Sequence, residues 1–195
     1  MYQVIGYGGT RAFRLLWMME EMDLPYHHRP VMPFSDEAQQ ASPGGRLPAL
    51  GLADGTVLLD STAILNFLAD RHQGLTAPPG SVERARQDAA IHRLLEELDA
   101  AMMRWTLIRQ GFAPPPADSV REWMLHRIRR GLDGAAQALG DGDWLCGENF
   151  TIADIVLGHC LHWAERFHET ITHPRLRTYM AQVERRPAYR LADSA

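Results

Sequence analysis

The apolar residues of this chain change period as it proceeds, and each change marks a different kind of element. Tyr2 to Tyr7 is a short strand-like run that stops at Gly8-Gly9. Ala12, Phe13, Leu15, Leu16, Met19 and Met22 then recur at spacings that place a broad apolar stripe on one side of a helix, with Thr10 as its N-cap and Asp23-Leu24-Pro25 as its end. Tyr26 to Val31 reads as a second strand. A strand–helix–strand unit returns by a right-handed crossover, so this strand is expected parallel to the first. After a loosely structured segment, Ala49 to Leu52 and Thr56 to Leu59 flank Ala53-Asp54-Gly55, where Asp-Gly favours the positive backbone angles of a tight antiparallel hairpin. Asp60 or Ser61 caps the next helix, whose stripe is Ile64, Leu65, Phe67 and Leu68 before Gly74 ends the pattern.

Gln73 to Gly80, with Gly74, Pro78, Pro79 and Gly80, resists both regular structures and reads as an interdomain connection. Beyond it alternation disappears. Ile91, Leu94, Leu95, Leu98, Met102 and Trp105 repeat along a helix of several turns, which Pro114-Pro115-Pro116 interrupts. A second helix fits Asp118 to Leu139, a third starts at Thr151, and shorter ones cover Pro174 to Glu184 and the segment after Pro187. The expected organisation is an α/β domain over residues 1–74, a linker over 75–81 and an all-α helical bundle over 82–195.

Charge narrows the choice of partners. Twenty basic residues against 24 acidic ones give a net charge of −4, without a cationic face suited to phosphate backbones or anionic lipid. Nucleic acid and membrane surface are therefore not expected partners. Met1 to Phe13 lacks the basic flank and apolar core of an export signal, and the most apolar internal run, Ile152 to Ala164, carries Asp154, His159 and His162. Cys146 and Cys160 form neither a C-x-x-C pair nor a metal-ligand spacing, which points to a reducing cytoplasm.

Three local patterns carry the candidate chemistry. Ser42-Pro43-Gly44-Gly45-Arg46-Leu47-Pro48-Ala49-Leu50 is a Pro/Gly loop running into a strand. Leu59-Asp60-Ser61-Thr62-Ala63-Ile64-Leu65-Asn66-Phe67-Leu68 places an acid and a hydroxyl at a helix start, where free N–H groups and the helix dipole favour a carboxylate. Trp144-Leu145-Cys146-Gly147-Glu148-Asn149-Phe150-Thr151-Ile152-Ala153-Asp154-Ile155 is a capping box: Thr151 is expected to accept from the N–H three residues on, Asp154 reaches back to the Thr151 N–H, and Phe150 packs on Ile155. Taken in order, these patterns resemble the glutathione S-transferase family over nearly the whole chain.

The resemblance implies a thioredoxin-like N-terminal domain that binds glutathione and an all-helical C-terminal domain. It implies a cis peptide before Pro48, with the Leu47 backbone pairing to the ligand as an added strand would, and Arg46 near a ligand carboxylate. It assigns the γ-glutamyl head to Asp60, through its ammonium, and to Ser61 as a hydroxyl donor. Read without the resemblance, the same residues are an ordinary loop and a simple helix cap.

Family members activate the thiol with Tyr, Ser or Cys near the first helix, and this chain departs from each of those arrangements. Alignment of Phe13 to Glu21 with serine-type members puts Thr10 in the hydroxyl position, Tyr7 is the alternative donor, and Arg11 is an electrostatic helper. A thiol of pKa about 8.5 is only slightly ionised at neutral pH, so a donor that stabilises the thiolate makes the sulfur a better nucleophile. Met102, Trp105 and Arg109 fall where the family's long helix flanks the electrophile pocket, and they also fit a helical core. His159, His162 and Glu165 recur at helical spacing, but H-E-x-x-H is absent, and no metal is expected. Cys146 is expected to be packing. The resulting expectation is a cytoplasmic homodimeric detoxification transferase that uses glutathione as co-substrate against a small hydrophobic electrophile. The alternative is a binding protein of the same fold. Exchange by an enzyme cysteine is disfavoured because neither cysteine lies near the first helix, and a zeta-type isomerase because Tyr7-Gly8-Gly9-Thr10 replaces its Ser-rich, Cys-containing segment.

Overall fold

A computed structural model describes residues 1–167 and 171–195 of the chain. It divides into two compact units, one formed by Met1–Thr76 with Gln182–Ala195 and the other by Ala77–Ala181.

The first unit is built on strands β1 (Tyr2–Ile5), β2 (Tyr26–Arg29), β3 (Ala49–Gly51) and β4 (Val57–Leu59) in the order β2-β1-β3-β4. β1 and β2 are parallel, joined through helix α1 (Ala12–Glu21), while β3 is antiparallel to both β1 and β4. Asp54 makes the hairpin turn by accepting from the Thr56 N–H at 2.9 Å, and Gly55 supplies the positive φ of 86°. Ile5 and Ala49 pair across the sheet and pack with Val31 and Ala38. Val4 and Leu50, their neighbours in the pleat, are buried on the opposite face, and α1 packs on β1 and on α3 (Ser61–His72).

Two features depart from the sequence reading of this unit. The segment taken as loosely structured holds a helix, α2 (Asp36–Ala41), whose N-cap Ser35 accepts from the Ala38 N–H at 3.2 Å, followed by a 3-10 turn over Pro43–Gly45. Its Ser-Asp-Glu start is a cap signal, but fewer than two turns of helix leave too little periodicity to recognise. The chain's last helix, α9 (Pro187–Asp193), assigned from sequence to the helical half, packs instead on α1. Tyr189 meets Phe13 and Trp17 edge-on at centroid distances of 5.4 and 5.0 Å, and Arg186 clamps Glu21 with two bonds of 2.6 Å. Aromatic burial and a bidentate ion pair draw this segment to α1, and neither is visible as a periodicity.

The second unit is helical: α4 (Val82–Leu94), α5 (Ala100–Arg109), α6 (Asp118–Leu139), α7 (Ile152–Phe167) and most of α8 (Pro174–Val183). α4 runs into α5 through a π turn at Leu95–Asp99, which puts two consecutive side chains, Leu98 and Asp99, into the core. α6 lies directly on that turn. A Cβ at Gly131 would meet the Glu97 carbonyl oxygen at 2.8 Å, so only glycine permits the approach. No helix among the described residues is long and apolar enough to cross a membrane.

Candidate functional site

The strand register gathers the N-terminal candidates at one end of the sheet. Ile5 pairs with Ala49, and Ala49 with Leu59, so Gly6, Pro48 and Asp60 are the next residues at the same edge. The Leu47–Pro48 peptide is cis. Gly6, at φ 144°, lies against this loop: a Cβ there would stand 2.8 Å from that of Ala12 and 3.5 Å from those atoms of Leu47 and Pro48 nearest to it. The end of β1, the start of α1 and the cis-proline loop thus converge on a residue that must lack a side chain. Its carbonyl is held by the His28 ring at 2.9 Å and its N–H by the Arg29 carbonyl at 2.9 Å.

Asp60 caps α3 from a left-handed backbone conformation, φ 68°. Its Oδ1 accepts from the Thr62 N–H at 3.0 Å, the Ala63 N–H at 3.0 Å and the Thr62 hydroxyl at 2.7 Å. Partial burial acts to raise its pKa, but these hydrogen bonds and the charge of Arg14 outweigh it and hold the carboxyl below its ordinary value. The group is an anion at neutral pH. Among the described residues every hydrogen bond to this carboxylate falls on Oδ1.

Ser61, only 4 % exposed, accepts from the fully buried Arg14 guanidinium at 3.1 Å. This link ties α1 to α3 beneath the site, and the apolar pattern did not single it out. α1 is buried at every position from Ala12 to Met19. Arg14 is the one charged residue in the buried stretch Ala12–Met19, and a charge there requires a partner, which was the available signal.

The two hydroxyl candidates differ in their commitments. Thr10 Oγ1 donates to the Tyr7 carbonyl at 2.7 Å and accepts from the Ala12 N–H at 3.2 Å, closing the turn that leads into α1. The helix itself begins two residues later than Thr10, so Thr10 caps the lead-in turn rather than the helix. Tyr7 is 47 % exposed, its ring covers Gly9, and its phenol makes no hydrogen bond among the described residues. Arg11 is half-buried and Arg46 exposed.

In the helical unit, Met102 is fully buried and so belongs to the core rather than to a substrate-lining surface, while Trp105 is half-buried and Arg109 exposed. The Asp154 carboxylate accepts from the Thr151 N–H at 2.9 Å, the Leu145 N–H at 2.8 Å and the Tyr179 hydroxyl at 2.9 Å, while Thr151 Oγ1 takes the Ala153 N–H, two residues on rather than three, at 3.3 Å. Burial raises the Asp154 pKa against these bonds. Cys146, expected to be packing, is exposed instead, and partial desolvation of its sulfur with the nearby Asp154 charge lifts the thiol to about 11, so it is protonated and a weak nucleophile at neutral pH.

Comparison with known proteins matches residues 10–71 to the glutathione S-transferase N-terminal domain and residues 81–182 to the glutathione S-transferase C-terminal domain. Maleylacetoacetate isomerase of Pseudomonas aeruginosa is 29% identical over 97% of this chain and 93% of its own length. Glutathione S-transferase GstA of Escherichia coli O157:H7 is 31% identical over 66% of this chain and 62% of its own. A glutathione transferase structure from Methylococcus capsulatus superposes with a TM-score of 0.85 at 25% identity, covering 98% of this chain and 97% of that one. An α/β unit of order β2-β1-β3-β4 with a cis-proline loop, a helical unit after it, and both domain matches in sequence along one chain place this protein in the glutathione S-transferase family.

Proposed function

We propose that this protein binds glutathione at the sheet edge formed by Gly6, Pro48 and Asp60 and transfers it, as a thiolate, to a small hydrophobic electrophile. The observation that carries the reading is Asp60: an ionised carboxylate at the N-terminus of a 12-residue helix whose hydrogen bonds, among the described residues, all fall on Oδ1. A γ-glutamyl head presents an ammonium for that anion and a carboxylate for the helix start. The Leu47 backbone receives the cysteinyl part of the ligand, Arg46 stands near a ligand carboxylate, and Ser61 serves through the Arg14 link that fixes the start of α3. Tyr7 is the donor to the sulfur, because the Thr10 proton is already held by a carbonyl; Arg11 adds positive charge beside it. Trp105 and Arg109 contribute to recognition of the electrophile. The working form is a cytoplasmic homodimer of detoxifying function, with twice the 22.0 kDa chain mass expected by light scattering.

Calorimetric titration with glutathione tests the binding half. Asp60→Asn is expected to weaken affinity at least tenfold, since it removes a charge-assisted bond; unchanged affinity would move the γ-glutamyl site elsewhere. A thiol-consumption screen across chlorinated aromatics, epoxides, enones and peroxides tests turnover. It should include a cis-enone diacid, because the Pseudomonas relative is named an isomerase of that substrate class. Binding without turnover of any of these would support the second reading, a glutathione-binding protein, which the commitment of the Thr10 hydroxyl favours.

A further inference from the structure

The helical unit buries three metal-compatible side chains in one place. Asp99, at the end of the π turn, is 3 % exposed; His159 and Cys160, consecutive on α7, are 4 % and 0 % exposed. One ligand atom from each, a carboxylate oxygen, an imidazole nitrogen and Sγ, lies within 4.8 Å of the other two. Around a tetrahedral zinc ion, with bonds of about 2.0–2.3 Å, neighbouring ligand atoms stand roughly 3.3–3.8 Å apart. Closing the trio onto an ion therefore needs these atoms to draw about an ångström closer, in exchange for contacts that each of the three already makes. His159, His162 and Glu165 share a single helix without H-E-x-x-H spacing, so sequence alone gives no metal site. Asp99 comes from a different helix, which no spacing rule reaches.

We propose that Asp99, His159 and Cys160 form a buried site for one zinc ion, tying the π turn to α7. The donor set selects the ion class: thiolate and imidazole suit a borderline transition metal and disfavour calcium or magnesium. Charge supports it as well. A carboxylate and a thiolate neutralise a divalent cation, with neutral imidazole as third ligand, so the loaded site carries no net charge into a low-dielectric core. Binding releases the Cys160 proton to solvent and leaves no redox step. The π turn supplies the geometry, because its extra residue turns Asp99 inward beside Leu98. Trp163 borders the site, its ring 5.6 Å from that of His159.

The test uses the full chain without an affinity tag, expressed in zinc-supplemented medium and desalted. One equivalent of zinc per chain is expected, with a melting temperature that falls by several degrees after stripping with a chelator and returns on adding zinc. Cobalt(II) added to the stripped protein should give a thiolate-to-metal absorption band. That band is expected to persist in Cys146→Ser, where Cys160 is the sole remaining cysteine, and to vanish in Cys160→Ser; His159→Gln should weaken cobalt binding at least tenfold. If Cys160→Ser does not fold, the Cys146→Ser protein alone decides. Wild type that retains no zinc and melts unchanged with zinc, or a cobalt band lost in Cys146→Ser, overturns the proposal and leaves the trio a metal-free core cluster. Glutathione titration is a separate readout and does not depend on the outcome.

Discussion

The Thr10 hydroxyl has one proton, and the Tyr7 carbonyl holds it at 2.7 Å. Tyr7→Phe is therefore expected to raise the pKa of the bound thiol by about one unit, equivalent to about 1.4 kcal/mol of lost thiolate stabilisation. Thr10→Val should leave that pKa in place while costing about 1 kcal/mol of stability through the lost cap. Thiolate absorbance of bound glutathione against pH, with a thermal melt of each variant, checks both; the opposite pattern assigns the role to Thr10. Asp60 gives a pH signature. Its carboxyl pKa is lowered on folding, so its stabilising contribution is present above the ordinary carboxylate value, about 4, and is lost as pH falls through the lower folded value. The stability gap between wild type and Asp60→Asn should accordingly be full at neutral pH and close below about pH 4, as measured by denaturant titration across that range.

Among elements, the start of α7 and the crossing of α6 over the π turn are the places where one atom matters most. Asp154→Ala removes the acceptor for two backbone N–H groups and a buried phenol, a larger loss than the roughly 1 kcal/mol of a simple cap. A destabilisation of about 2–4 kcal/mol is expected, with glutathione affinity unchanged in the folded fraction. Loss of affinity at full stability would instead make Asp154 part of the ligand site. Gly131→Ala places a methyl against a backbone carbonyl that cannot swing aside, and about 1–3 kcal/mol should be lost in the same denaturant assay. A neutral result would show that α6 shifts to accommodate it. The capping box was legible from Thr151 and Asp154 because its spacing is local. The π turn was not, because the apolar stripe through Ile91, Leu94, Leu98 and Met102 continues across it without a break.

For the molecule as a whole, the last helix is the informative element. Tyr189→Ala strips the aromatic cover from Phe13 and Trp17, and about 3–5 kcal/mol of the first unit's stability should go with it. Hydrogen exchange should then quicken in α1 and remain as in wild type along α6. Faster exchange in α6 with α1 unchanged would place α9 with the helical unit. The sequence by itself determined the order of the four strands, helices α1 and α3 between and after them, the Asp-Gly hairpin and the capped start of α3, and, through its resemblance, the cis-proline loop. Each of these is set by neighbours a few residues apart, through turn chemistry, capping and period. Tertiary structure alone decided that Arg14 and Ser61 meet beneath the candidate site, that Gly6 must be bare, that the Thr10 proton is spent, and that Asp99 joins His159 and Cys160. Those pairings arise where separate elements close on one another, and the partner of a buried charge or the space left for a Cβ is fixed only once that packing exists.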